Sequence, residues 1–177
     1  MSTVGIIFGS DTGATQDATE IIIGNLGTDA VEVIEVNRAE ISDFQRFDLL
    51  LIGLSTWHDG ELQSDWEFYF DTFQTIDFSG QIVALFGLGD QIGYSEYFID
   101  GVGILAKVIL ENGGTIIGEW PIEGYDFTES KAQKNDEVFY GLALDEDNEP
   151  DMTAGRIEQW VEQIINEYNE YLVVSGS

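Results

Sequence analysis

The chain lacks cysteine altogether and has one histidine, two prolines and only six lysines and arginines in 177 residues. Without cysteine there are no disulfides, thiolate metal sites, iron–sulfur ligation or cysteine nucleophiles. The single imidazole, His58, leaves no histidine cage for a metal and little for a Ser-His-Asp arrangement. The expectation is therefore no metal site and no catalytic residues. The prolines, Pro121 and Pro150, are too few for a Pro-rich linker. No run approaches the ~18 apolar residues of a membrane span. The opening MSTVGIIF has neither a basic n-region nor a cleavable apolar stretch. A soluble, cytoplasmic protein without membrane insertion is expected, with a targeting peptide already removed as the weaker possibility.

What is abundant is negative charge: 34 Asp+Glu give a formal charge of −28. Such an excess repels nucleic acid and anionic lipid and attracts basic surfaces. Partners should be basic, and nucleic acid is not among them. Hydrophobic residues make up 44% and aromatics 12%, enough for a core, so the acidity decorates a folded body. A chain this long is expected to form one domain, 1–177, with its core at about 3–170.

Apolar β-type runs occur at Thr3–Phe8, Ala30–Val36, Asp48–Leu54 and Ile82–Gly87, with a fifth split between Thr115–Trp120 and Val138–Leu144. Runs apolar on both faces indicate a buried parallel sheet. Helical spacing follows the first run (Ala14, Ala18, Ile21, Ile22, Leu26) and the fourth (Phe98, Val102, Leu105, Ala106, Ile109). It is clearest near the end, where a cap at Thr153 precedes Ile157, Trp160, Val161, Ile164, Ile165 and Tyr168. The pattern predicts an α/β, three-layer fold with a five-stranded parallel sheet in order 2-1-3-4-5 and helices on both faces. Residues 121–137 read as an insertion that splits the fifth strand. Ligands of such sheets bind beyond the carboxyl ends of the strands, where the winding reverses. Three loops should meet there: GSDTGAT (9–15), STWHDGELQSDW (55–66) and LGDQIGY (88–94).

A strand-to-helix loop offers unpaired backbone N–H groups and the positive end of a helix dipole, and so attracts phosphate without a cationic side chain. Ser10, Thr12 and Thr15 add hydroxyls and Gly13 permits close approach. Asp11 should point away from an anion. Walker A and GxGxxG patterns are both absent. The same residue types also make ordinary capped turns, so the loop alone is ambiguous. Trp57 and Tyr94 bring two aromatics to the same rim, suited to stacking on a flat ligand, although either alone reads equally as a packing residue.

Together these stretches resemble the flavodoxins. Ile7–Thr15 through Ala18 is similar to their FMN-phosphate signature. Thr56-Trp57 with Gly60–Trp66 resembles the loop over one flavin face, and Gly87–Tyr94 the loop over the other. GYDF (124–127) and GLALDEDN (141–148) are typical of the long-chain subgroup, and the Trp57 loop is most similar to those of cyanobacteria and algae. The similarity runs from Val4 to about Tyr168.

The resemblance implies a low-potential one-electron carrier with non-covalently bound FMN, cycling between semiquinone and hydroquinone and replacing ferredoxin when iron is scarce. Its implied partners are basic redox proteins such as ferredoxin-NADP reductase and photosystem I, or another low-potential electron acceptor. A monomer is implied, and no substrate turnover. By position, residues 10–15 (Ser10, Asp11, Thr12, Gly13, Ala14, Thr15) would hold the phosphate, and Thr56 and Asp147 would reach the ribityl chain. Trp57 would cover the inner ring face and Tyr94 the outer. The peptide between His58 and Asp59 would lie at flavin N5. Ser55, Gly60, Leu88, Gly89, Asp90 and Tyr97 would complete the surround.

Ser10 stands where Thr is commoner, and Tyr97 and Ile99 where polar residues are frequent. His58-Asp59 supplies no glycine for a flipping peptide, so only modest semiquinone stabilisation is expected. Because imidazoles change charge near neutrality, His58 is also a candidate for pH-dependent potentials, or simply a solvated loop residue. A carboxylate ~10 Å from an added electron costs it ~1.7 kcal/mol at an effective dielectric of ~20, roughly 70 mV. Rim carboxylates (Asp59, Glu61, Asp65, Asp90, Glu96, Asp126) are candidates for partner steering or are generic surface acidity. The alternative function is an FMN-dependent NAD(P)H-quinone reductase, disfavoured by the scarcity of cations for a nicotinamide nucleotide. A receiver domain would need an Asp where Leu54-Ser55 stands.

Overall fold

The computed structural model describes residues 3–27 and 31–174. Its strands are β1 (Val4–Phe8), β2 (Val31–Glu35), β3 (Leu49–Trp57), β4 (Glu61–Leu62), β5 (Ile82–Leu88), β6 (Thr115–Ile117), β7 (Trp120–Pro121), β8 (Val138–Phe139) and β9 (Gly141–Leu144). Its helices are α1 (Ala14–Leu26), α2 (Ser64–Phe73), α3 (Asp100–Glu111) and α4 (Thr153–Val174). The main sheet runs β2-β1-β3-β5-β6 with every neighbour parallel, the flavodoxin-like order expected from the sequence. β1, β3 and β5 are almost wholly buried because helices cover both faces. Among the described residues, no helix is long and apolar enough to cross a membrane.

The fifth strand is split as anticipated. β6 pairs with the first half of β5 (Ile82↔Thr115 to Ala84↔Ile117), and β9 with the second half (Leu85↔Gly141 to Leu88↔Leu144). The halves are shorter than the apolar runs. At Gly118, φ of 82° turns the chain out of the sheet, and the outer ends of both runs form the antiparallel β7–β8 pair. The segment between them packs back on the loop after β5. Thr128 and Glu129 donate their N–H groups to Ser95 O, and Asp126 N donates to Gln91 Oε1 at 2.6 Å. Tyr125 and Phe127 join the aromatic cluster of Phe98 and Phe139.

Four expectations are corrected. β2 is not apolar on two faces: it is the sheet margin, with Glu32, Val33 and Glu35 exposed. Its first expected residue, Ala30, lies outside the described residues. Thr153 does not cap α4 but is its first residue, led in by a 3₁₀ turn at Pro150–Met152. Within α4, Ile157, Trp160, Val161 and Ile164 are buried, whereas Ile165 is 41% exposed, so the buried stripe is narrower than the spacing implied. Finally, α2 begins inside the stretch read as loop, and the crossing from β2 to β3 uses only 3₁₀ turns at Val36–Arg38 and Ile41–Phe44.

The insertion is pressed onto α3 at Gly103, where a Cβ would stand 2.0 Å from Lys131 O. Gly103→Ala should therefore destabilise by about 2–3 kcal/mol, since backbone cannot yield as a side-chain tip can. Gly24, exposed in α1 with nothing within 4 Å of a Cβ, makes the converse control. Gly24→Ala should stabilise by about 0.5–1 kcal/mol. Urea unfolding of both variants measures the pair.

Candidate cofactor site

Parallel register brings four strand ends to one edge: Phe8 lies opposite Gly53, Ser55 opposite Leu88, and Leu88 opposite Leu144. The loops that follow enclose a cleft of about 430 Å³. Thr12 and Ala14 line it from the first loop, residues 55–58 from the second, residues 88–90 and Tyr94 from the third, and Glu146 with Asp147 from the fourth. A larger groove of about 690 Å³ lies between α2 and α3, remote from the strand ends, so volume does not select the site.

The first loop reaches α1 through Gly13 (φ 93°), and no side chain caps the helix. Its first-turn amides are left to whatever enters the cleft, and a Cβ at Gly13 would meet nothing within 4 Å. Ser10 turns inward, its Oγ accepting from Gly13 N at 2.9 Å. Thr15 is buried and ties the first loop to the second through a 2.7 Å hydroxyl contact with Ser55. Asp11 faces the start of α2, where its carboxylate accepts from Ser64 Oγ (2.6 Å), Gln63 Nε2 (3.0 Å) and Ser64 N (3.4 Å). The Ser64 hydroxyl holds the Asp11 carboxyl below the usual aspartate range, against the opposing effect of partial burial. The loop thus presents dipoles to the cleft while its one charge is engaged elsewhere.

The second loop is a hairpin closed by Thr56↔Leu62 and Trp57↔Glu61. At its tip His58 is left-handed (φ 43°), its ring centroid 6.3 Å from that of Trp57 and 6.0 Å, edge-on, from that of Tyr94. The buried Trp57 Nε1 has no hydrogen-bond partner among the described residues. Thr56 Oγ1 accepts from Gly101 N at 2.9 Å, joining the hairpin to the start of α3. Asp59, Gly60 and Tyr97 do not line the cleft. Gly60 is packed from behind, a Cβ there falling 2.8 Å from Asp100 Oδ2 and 3.3 Å from Tyr97 Cδ1.

The third loop turns on Asp90, whose Oδ1 accepts from Gly93 N (2.6 Å), Ile92 N (3.0 Å) and Asn148 Nδ2 (2.8 Å). Burial pushes this carboxyl up, but the three donors outweigh it and leave it below the usual range. In the fourth loop the buried Asp145 accepts from the N–H groups of Gln91, Asp147 and Asn148 and fixes the turn. Burial, then the charges of Asp90, Asp145 and Glu146, raise the Asp147 carboxyl above its ordinary value. Sequence reasoning missed Glu146, although it adjoins Asp147 in GLALDEDN. It also missed that Ile99, buried behind Gly89, takes a left-handed backbone (φ 45°).

Two tests follow from this geometry. A carboxyl raised on folding favours the native state below its unfolded pKa of ~3.9 and loses that advantage as pH rises through the folded value. Asp147→Asn should therefore raise the melting temperature at pH 7, with the gain vanishing in acid, as scanning calorimetry across pH would show. At the hairpin tip, His58→Gly should stabilise by about 1 kcal/mol in urea unfolding, by relieving a conformation costly for a side chain bearing a Cβ.

The sequence profile of the family described as Flavodoxin matches residues 6–160. Flavodoxin 1 of Escherichia coli (strain K12) is 46% identical over 167 residues, covering 94% of this chain and 95% of that protein. The flavodoxin of Nostoc sp. (strain PCC 7120 / SAG 25.82 / UTEX 2576) is 46% identical over 165 residues, covering 93% and 96%. A crystal structure of Fusobacterium nucleatum flavodoxin bound to flavin mononucleotide superposes with a TM-score of 0.88 at 31% identity, covering 94% of this chain and 99% of that one.

Proposed function

This chain belongs to the flavodoxin family, and on that premise we propose that its strand-end cleft holds FMN non-covalently and that the protein carries electrons one at a time at low potential. The observation that carries the reading is the coincidence, at one cleft, of an uncapped helix start, two rim aromatics and the orphaned Trp57 Nε1. The residues fit the group. Amides and hydroxyls of residues 10–15 suit a phosphate, with Ser10 and Thr15 shaping the loop and Thr12 and Ala14 at the cleft wall. Thr56 and Asp147 suit the ribityl hydroxyls. Trp57 and Tyr94 suit the two faces of the ring. The His58–Asp59 peptide, on its His58 side, and the 88–90 backbone suit its edge, with Ser55, Gly60 and Tyr97 as supports behind them.

Bound FMN supplies the redox chemistry, and the protein sets how readily an electron is accepted. Asp90, Glu146 and Asp147 line the cleft, and with the buried Asp145 of the same turn their charges already oppose the ionisation of Asp147. The same field disfavours an added electron, and stacking on electron-rich rings acts in the same sense. The chain 1–177 is read as a single FMN-binding domain acting as a cytoplasmic monomer. Its partners are redox proteins with basic surfaces, of which ferredoxin-NADP reductase and photosystem I are the proposed examples. Replacement of ferredoxin under iron scarcity is proposed as its occasion.

A reductive titration followed by visible absorbance tests the reading. Stoichiometric FMN and two separate one-electron steps, the lower below that of free FMN, are expected, with no NADPH oxidation unless a reductase is added. A colourless protein that fails to turn yellow with added FMN would refute it. Within the same titration, His58→Asn should change at least one midpoint potential or its pH slope; unchanged values would make His58 a bystander.

A further inference from the structure

The solvent-facing stripe of α2 consists of Ser64, Glu67, Phe68, Asp71 and Thr72. Four of these are polar, as a solvated face should be. Phe68 is the exception, and it is 93% exposed, against 42% for Tyr94 and 36% for Tyr171, the other exposed aromatics among the described residues. Among the described residues, no ring stacking or cation–π contact involves it. Phenylalanine is also a mediocre helix former, so neither packing nor propensity accounts for it.

Its surroundings are specific. Glu67 adjoins it, and Asp65 and Asp71 lie three residues to either side, hence on neighbouring positions of the helix surface. Among the described residues the ion pairs engage Glu32, Asp43, Glu119 and Glu149, so this collar of carboxylates is uncompensated. The helix start is tied to the cofactor loop by the Ser64–Asp11 hydrogen bonds, and Phe68 lies one turn further on, ~6 Å along the axis.

We propose that Phe68 anchors a basic electron-transfer partner, its ring entering an apolar pocket whose rim carries lysine or arginine. This rests on the reading that the adjacent cleft carries the electron. Charge complementarity selects the occupant: a second copy of this chain, also at −28, would bring like charges to the collar. The two parts of the surface divide the work. The carboxylates steer approach, and the ring, whose burial is insensitive to salt, sets how long the partner stays.

Stopped-flow binding of the FMN-loaded chain to ferredoxin-NADP reductase, at low and high salt, separates these roles. Phe68→Ala should raise the dissociation rate about tenfold at both salts with an association rate within about twofold. Glu67→Gln with Asp71→Asn should instead slow association at low salt and flatten its salt dependence. The ring is almost fully exposed, so the alanine variant should keep its melting temperature and visible absorbance, which also shows any failure of FMN binding separately. A Phe68→Ala dissociation rate within about twofold of the parent, no measurable complex with the parent, or Phe68-dependent self-association in sedimentation would each overturn the proposal.

Discussion

A protein with 34 carboxylates cannot hold a phosphate by ordinary charge pairing without placing cations among them, and it has only six to place. At the cleft the difficulty is met by dipoles. The start of α1 is left without a side-chain cap, and the one carboxylate of the loop before it, Asp11, is drawn to Ser64 and Gln63 at the start of α2. This arrangement depends on strand register. Thr15 meets Ser55, and Asp11 meets Gln63, because β1 ends opposite Gly53 while its neighbour β3 runs on to Trp57 beside the first loop. The same register places Asp145 and Asp147 across from the loop after β5.

The non-glycine residues in left-handed conformation among those described, His58 and Ile99, both stand at the cleft loops. Ile99 is the more costly, being β-branched. Each costs of order 1–3 kcal/mol and persists because its surroundings over-determine it. Ile99 is locked between Gly87 and Gly89, where a Cβ would fall within 3.6 Å and 3.2 Å of its side chain, and His58 by the hairpin pairs on either side. The backbone around the cleft is therefore fixed by packing more than by local preference.

The central strands were legible because β1, β3 and β5 are buried on both faces and read as unbroken apolar runs, and α1, α3 and α4 because their buried residues recur at helical spacing. The three loops were legible because each follows such a run. α2 was not, because Phe68 on its wet face and Asp65 near its buried face blur the helical period. Nor could β7 and β8 be separated from the split fifth strand, since their residues are equally apolar and only Gly118 marks the departure. The Asp11–Ser64 contact spans 53 positions, and nothing local to either residue announces it. The backbone of Ile99 left no trace at all, because isoleucine is a poor choice for that conformation.

The margins of the sheet also govern how the protein behaves in a crowd. An open strand edge is a template for another chain, yet here one margin presents Glu32 and Glu35, and the other is divided between two segments of three and four residues. Neither offers a long, uncharged ribbon on which fibrils could grow. The charge on one margin and the interruption of the other thus work against strand-to-strand addition of a second copy.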